Sequence, residues 1–150
     1  MAAYARVAVP RTTAGWTVSG NNATLTAIVS FPPMAGGAGG PVSYFGCGLA
    51  ATLAGQMVFF GTVTPNISVV NGVTPKLDTG TTISQATADN MSNTAATNLL
   101  LLLFNNTTWA TFGDATGIVG SGTAGSLYLS LHTEILDETS TQATSEIAYT

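Results

Sequence analysis

Turn-forming residues cut this chain into short runs, and their spacing restricts it to folds assembled from short strands. Pro10, Gly15, Gly20 with Asn21 and Asn22, Pro32-Pro33, the Gly-rich stretch 34–41, Asn71-Gly72 and residues 78–80 supply the breaks. Between them the residues alternate apolar and polar, the period of a half-buried strand. Residues 4–9 (YARVAV), 16–19 (WTVS), 23–31 (ATLTAIVSF), 42–50 (VSYFGCGLA), 56–63 (QMVFFGTV) and 126–132 (SLYLSLH) read as strands. Residues 66–70, 73–75 and 81–85 are shorter candidates. Gly46 and Gly48 share one face of their strand, which predicts a bulge or the close approach of another backbone. Residues 56–63 read as the most deeply buried strand.

One segment breaks the rhythm. Residues 92–106 contain no Gly or Pro, carry the leucine run 99–103 and begin with Ser92, Asn93 and Thr94, which can cap a helix. The prediction is therefore a mainly β chain, an antiparallel β-sandwich or jelly-roll-like barrel, with one α-helix over about residues 92–106. A length of 150 residues suits one β-rich domain spanning 1–150. A domain of that size buries roughly 68–70% of its unfolded surface and needs no covalent staples.

Within this framework Leu127, Leu129 and Leu131 lie on one face of a strand, and Val58 and Phe60 on one face of another. Both sets are expected to be buried. The helix is expected to pack through Leu99, Leu102 and Leu103, with Phe104 beside them. Because leucines surround its axis, it is expected to be covered on two sides, by its own sheet and by a neighbouring subunit.

Charge decides between function classes. Charged residues make up 7% of the chain, against about 25% in ordinary soluble domains. A membrane span does not account for this, since the dense apolar run 99–104 is far shorter than the ~20 residues a spanning helix needs. Disorder does not either, because it requires low hydrophobicity and high net charge. A surface of Thr, Ser, Asn and Gly suits a protein that buries much of itself against copies of itself. The expectation is a stable homo-oligomer, a trimer favoured, with an obligate-sized interface of over about 2,000 Å². A net charge of -4 with three basic residues, Arg6, Arg11 and Lys76, leaves no electrostatic footprint for nucleic acid. No nucleic acid, membrane or cofactor partner is expected. No basic segment followed by an apolar one opens the chain, so no secretory signal is expected.

Little in the chain supports chemistry. Residues 120–125 (GSGTAG) match G-x-G-x-x-G, but a strand follows them where a dinucleotide site needs a helix. His132 is the single histidine, with Glu134, Asp137 and Glu138 near it in sequence; an acidic loop after a strand is ordinarily a solvated one. One histidine and one cysteine cannot make a zinc site without carboxylates or partner chains. The acidic run 134–138 lacks calcium-loop spacing. Cys47 sits in an apolar run and reads as a small buried hydrophobe rather than a reactive thiol. The sequons at Asn22, Asn66, Asn105 and Asn106 carry little meaning outside a secretory context. The chain is therefore expected not to be an enzyme, with no catalytic, cofactor or metal residues. Trp16, Tyr4, Tyr44 and Trp109 could serve as stacking platforms for a ligand, although such residues more often fill a core.

Several short motifs, YARVAVPR (4–11), GWTVSGN (15–21), Phe31-Pro32, YFGCG (44–48), NGVTP (71–75) and the long segment from GDATG (113–117) through GSLYLSLHT (125–133) to SEIAYT (145–150), together resemble a family of small tail-fibre-like or virion structural proteins of tailed bacteriophages and prophages. The resemblance covers nearly the whole chain. It implies a virion location and a structural role in decorating or capping the capsid or tail, with other virion proteins as partners. A receptor- or glycan-binding fibre module is the alternative. The order departs from the family, in which the SEIAYT-like piece runs directly into YARVAV. Here those pieces are the two ends, and Met91-Ser92-Asn93 looks like a beginning placed mid-chain. The chain resembles a circular permutant whose family order is 91–150 followed by 3–89. Permutation is tolerated when the joined ends lie close and the new break is exposed. The ends are accordingly expected within roughly 10–15 Å of each other, and residues 85–93 to form an exposed connector.

Overall fold

The predicted alternation produces nine strands and one helix in a computed structural model that describes residues 3–86, 90–110, 112–113 and 117–150. The strands are β1 (Val7–Pro10), β2 (Trp16–Ser19), β3 (Asn22–Leu25), β4 (Val29–Ser30), β5 (Gly40–Gly48), β6 (Met57–Val69), β7 (Lys76–Leu77), β8 (Thr82–Ser84) and β9 (Ser126–His132). The helix α1 is Asn93–Asn105. The chain is mainly β and β-sandwich-like, with several antiparallel sheets and a single helix. Among the described residues no helix is long and apolar enough to cross a membrane.

The contacts group the chain into two compact units. The first draws on Met1–Val9, Ile28–Asp78 and Leu127–Thr150. It holds a four-stranded sheet in the order β1-β9-β5-β6 and a two-stranded sheet of β4 and β7. β5 runs antiparallel to both β6 and β9. β9 is paired on both edges, and its Leu127, Leu129 and Leu131 are buried as expected. Phe45 and Cys47 join them across the register, Phe45 opposite Leu131 and Cys47 opposite Leu129. Burying each such leucine contributes about 1.5–3 kcal/mol. On β6, Gly61 lies opposite Phe45, and a Cβ there would come within 2.6 Å of the Phe45 ring. The missing side chain lets that ring cross the neighbouring strand.

β6 corrects the expectation for Val58 and Phe60. They are 37% and 42% exposed, not core. The reason is register and topology: Phe60 lies opposite Gly46, on the side of the sheet away from Phe45 and Leu131, and β6 is the outermost strand. Phe59, opposite Cys47, is half-buried, while Val58, Phe60, Thr62 and Thr64 are exposed. The two predicted runs 56–63 and 66–70 are also one strand, continuous through Pro65.

The second unit comprises Pro10–Ala27 and Thr79–Ser126. β2, β3 and β8 form an antiparallel sheet in the order β2-β3-β8, and α1 packs on β2 and β3. Ser92 caps the helix by accepting from the Ala95 N–H at 3.2 Å. Asn106 ends it in the left-handed conformation, a standard use of Asn after a last turn. Arg11 covers the orphan carbonyls there, donating to Leu102 O at 2.8 Å and Leu103 O at 2.6 Å. The expected seam of Leu99, Leu102 and Leu103 is not the one used, since all three are half-buried. Ala96, Leu100 and Phe104 are the fully buried set, four residues apart on one face. A leucine run offers every direction equally, and the small Ala96 with the aromatic Phe104 decides which face meets the sheet. Phe104 meets Trp16 edge-on at 4.7 Å between ring centroids.

Candidate functional site

The chemistry-bearing side chains of the first unit gather at three places: a polar group on one face of the β9–β5–β6 sheet, the meeting of the chain ends, and the outer part of β6. Period two puts Tyr44, Gly46, Ser130 and His132 on the sheet face opposite the Phe45–Leu131 core. Gly46 makes room there: a Cβ on it would lie 2.7 Å from Ser130 Oγ, 2.8 Å from His132 Nε2 and 2.8 Å from Met57 Cε. In that space Ser130 Oγ and His132 Nε2 are hydrogen-bonded at 2.8 Å, and His132 Nδ1 lies 2.6 Å from the Thr144 carbonyl. Since that carbonyl can only accept, Nδ1 carries the proton and Ser130 donates to Nε2.

A serine donating to an oriented imidazole resembles part of a nucleophilic site. Here both residues are fully buried and satisfied by each other. No substrate reaches Ser130 Oγ, and the pair acts as a hydrogen-bonded core polar group. Burial holds His132 below its ordinary value, so the ring is neutral at pH 7. Its partners are Ser130 and Thr144 rather than its acidic neighbours in sequence: Glu134 accepts from Ser145 Oγ at 3.0 Å, and Asp137 folds onto Thr139 and Ser140. Among the described residues no three His, Cys, Asp or Glu side chains come together as metal ligands. Cys47 is fully buried, and burial pushes its thiol up to about 12, leaving it a protonated hydrophobe.

The second place joins the first and last residues. Arg6 binds Glu146 through two bonds of 2.7 Å and also donates to the carbonyls of Ala50 and Leu53. Tyr4 N–H donates to the Tyr149 carbonyl at 3.1 Å, and Tyr4 Oη accepts from the Leu131 N–H at 2.9 Å. Burial, with Glu146 nearby, raises the Tyr4 hydroxyl far above its usual range. The Tyr4 and Tyr149 rings meet at 5.4 Å, and Tyr4 stacks on Phe31. The ends are thus adjacent. Of the connector expected at 85–93, Asn90, Ser92 and Asn93 are exposed, and residues 87–89 lie outside the described residues.

The third place is the outer part of β6. Val58 and Phe60 form an exposed apolar pair on it. Farther along, Thr62, Thr64 and Asn66 line a cleft of about 430 Å³ together with Ser43, Tyr44, Val63, Thr133, Glu134 and Ile135. Tyr44 is therefore placed at a cavity, as a ligand platform requires. Trp16 is not: it is fully buried against Phe104, with its Nε1 unpartnered. Trp109 is half-buried beside Phe112 at 4.5 Å.

The cleft and the Ser130–His132 pair escaped sequence reasoning for different reasons. The pair had a signal, S-x-H within a strand, which places both side chains on one face. The cleft had none, because its walls come from three distant segments. No family model, curated protein or solved structure matches the chain.

Proposed function

We propose that this chain is a non-enzymatic structural protein of a bacteriophage virion, which self-associates and decorates or caps the particle. The observation that carries the self-association is the exposed edge of β6. Edge strands in lone proteins are guarded by charges, prolines or short length. β6 runs for 13 residues with no charged side chain; Pro65 and two register irregularities against β5, at Val58 and over residues 63–66, interrupt it. Its first half carries Val58 and Phe60 exposed, with no charged side chain anywhere along the strand. With no charge to complement, the best occupant is a second copy of the same apolar surface. Pairing of β6 with itself about a twofold axis gives a dimer, whereas contact with a different surface of the next copy gives the expected trimer. The virion location rests on the resemblance of the sequence motifs.

The adjacent ends support the permuted order. If Thr150 were joined to Ala3, the Tyr4 N–H to Tyr149 carbonyl bond would close an ordinary four-residue β-turn. A chain reordered as 91–150 followed by 3–89 is expected to fold with unchanged circular dichroism. The functional reading is tested by protein mass spectrometry of density-purified phage particles. The expected result is this chain at the copy number of a repeated structural component. Its presence in the infected-cell lysate together with its absence from particles contradicts the reading.

A further inference from the structure

We propose that the cleft between β5, the polar end of β6 and the loop after β9 binds a neutral saccharide. This goes beyond the assembly reading and does not depend on it, because it uses a different half of β6. The cleft of about 430 Å³ has the size of a small-ligand site and suits one or two sugar rings. Tyr44 lines it at the register position between Thr62 and His132, held by the central part of the sheet. A tyrosine ring there, half-buried, can supply apolar surface to the C–H groups of a pyranose, with only two side-chain torsions to freeze on binding. Around it stand Ser43, Thr62, Thr64 and Asn66. Hydroxyls and a carboxamide both donate and accept, as sugar hydroxyls do.

Charge selects among polyhydroxylated ligands. Glu134 is the one charged residue lining the cleft, and no Lys or Arg lines it. A phosphate, nucleic acid or sialic acid would meet a carboxylate with no cation to offset it. A neutral saccharide instead presents vicinal hydroxyls that donate to the two carboxylate oxygens. Ser145 Oγ, at 3.0 Å from Glu134 Oε2, holds that carboxylate in place. Thr62, Thr64, Asn66 and Glu134 are all exposed, so a ligand reaches them without any rearrangement of the fold.

The test is a titration of the full-length, isotope-labelled protein followed by NMR, using methyl β-galactopyranoside, methyl α-mannopyranoside and N-acetylglucosamine, with N-acetylneuraminic acid as the anionic control. At least one neutral sugar is expected to shift the amides around Tyr44, Thr62–Asn66 and Glu134 with millimolar affinity, and the anionic sugar to shift none of them. Tyr44→Ala is expected to weaken binding about tenfold or more, Tyr44→Phe to retain it, and Phe60→Lys to leave it unchanged. Unaltered amide spectra elsewhere in the Tyr44→Ala protein show that the fold survives. No shift with any neutral sugar at tens of millimolar overturns the proposal. So does binding that is indifferent to Tyr44→Ala, or preferential binding of the anionic sugar.

Discussion

β9 and β6 belong to one sheet and carry the same kind of alternating apolar sequence, yet their large side chains meet opposite fates. Leu127, Leu129 and Leu131 of β9 are buried, while Val58 and Phe60 of β6 are exposed. The difference lies in face and in position: Phe60 pairs with Gly46 and stands on the Ser130 side, away from the leucines, and on that side Ser130 of the central β9 is buried while Phe60 of the outermost β6 is not. Alternation separates the faces of a strand without saying which face is inward or whether a second neighbour exists. A large apolar residue on an edge therefore gives information about a partner, whereas the same residue on a central strand gives information about the core.

The contrast can be broken by substitution, and the largest effect is expected on the central strand. Leu129→Ala should destabilise the fold by about 2–5 kcal/mol, because the lost methyl groups leave a cavity that β1 and β5 cannot close. Denaturant unfolding read by fluorescence measures this, and a loss of only a few tenths would mean that β9 is not central. Gly46→Ala tests the opposite face of the same sheet. Its Cβ would press on Ser130, His132 and Met57, and the expected cost is about 1–3 kcal/mol from overpacking.

The Ser130–His132 face also makes a prediction in pH. His132 is held below its ordinary 6.5 when folded and returns to that value when unfolded. Below that pH the unfolded chain binds a proton that the folded chain refuses, so the favourable contribution is complete above about 6.5 and fades as the pH falls. The His132 share of the slope should approach, but not exceed, about 1.4 kcal/mol per pH unit. His132→Gln should flatten the stability profile just below pH 6.5, and an unchanged profile contradicts a neutral, buried ring. On the edge strand the expected effect on the fold is the smallest. Val58→Thr and Phe60→Lys should each change the stability of the isolated subunit by no more than about 0.5 kcal/mol, as exposed substitutions do. A loss of several kcal/mol in dissociated protein would place them in a core after all.

Much of this fold was legible in the sequence, and the failures are specific. β2 and β9 have the bounds that alternation and turn residues predicted, and α1 begins and ends within one residue of its predicted caps. Local chemistry determines those features. The seam of α1 was not local, because five consecutive leucines leave its direction to the sheet it meets. Alternation ended one run at 63 and began another at 66, whereas β6 is continuous: a proline is tolerated within a strand at an edge or a bulge, and Pro65 lies on the outermost strand where its register against β5 shifts. The ion pair of Arg6 with Glu146 lay hidden for another reason: the partners stand at opposite ends of the chain.

The account depends most on the claim that the exposed part of β6 is covered by a second copy. Sedimentation velocity on the wild-type chain and on Phe60→Lys, at the same micromolar concentration, measures it directly. The wild type is expected to sediment as one discrete oligomer, dimer or trimer, and Phe60→Lys as a folded monomer. A wild-type chain that is monomeric at that concentration contradicts the account, as does an oligomer that Phe60→Lys leaves intact.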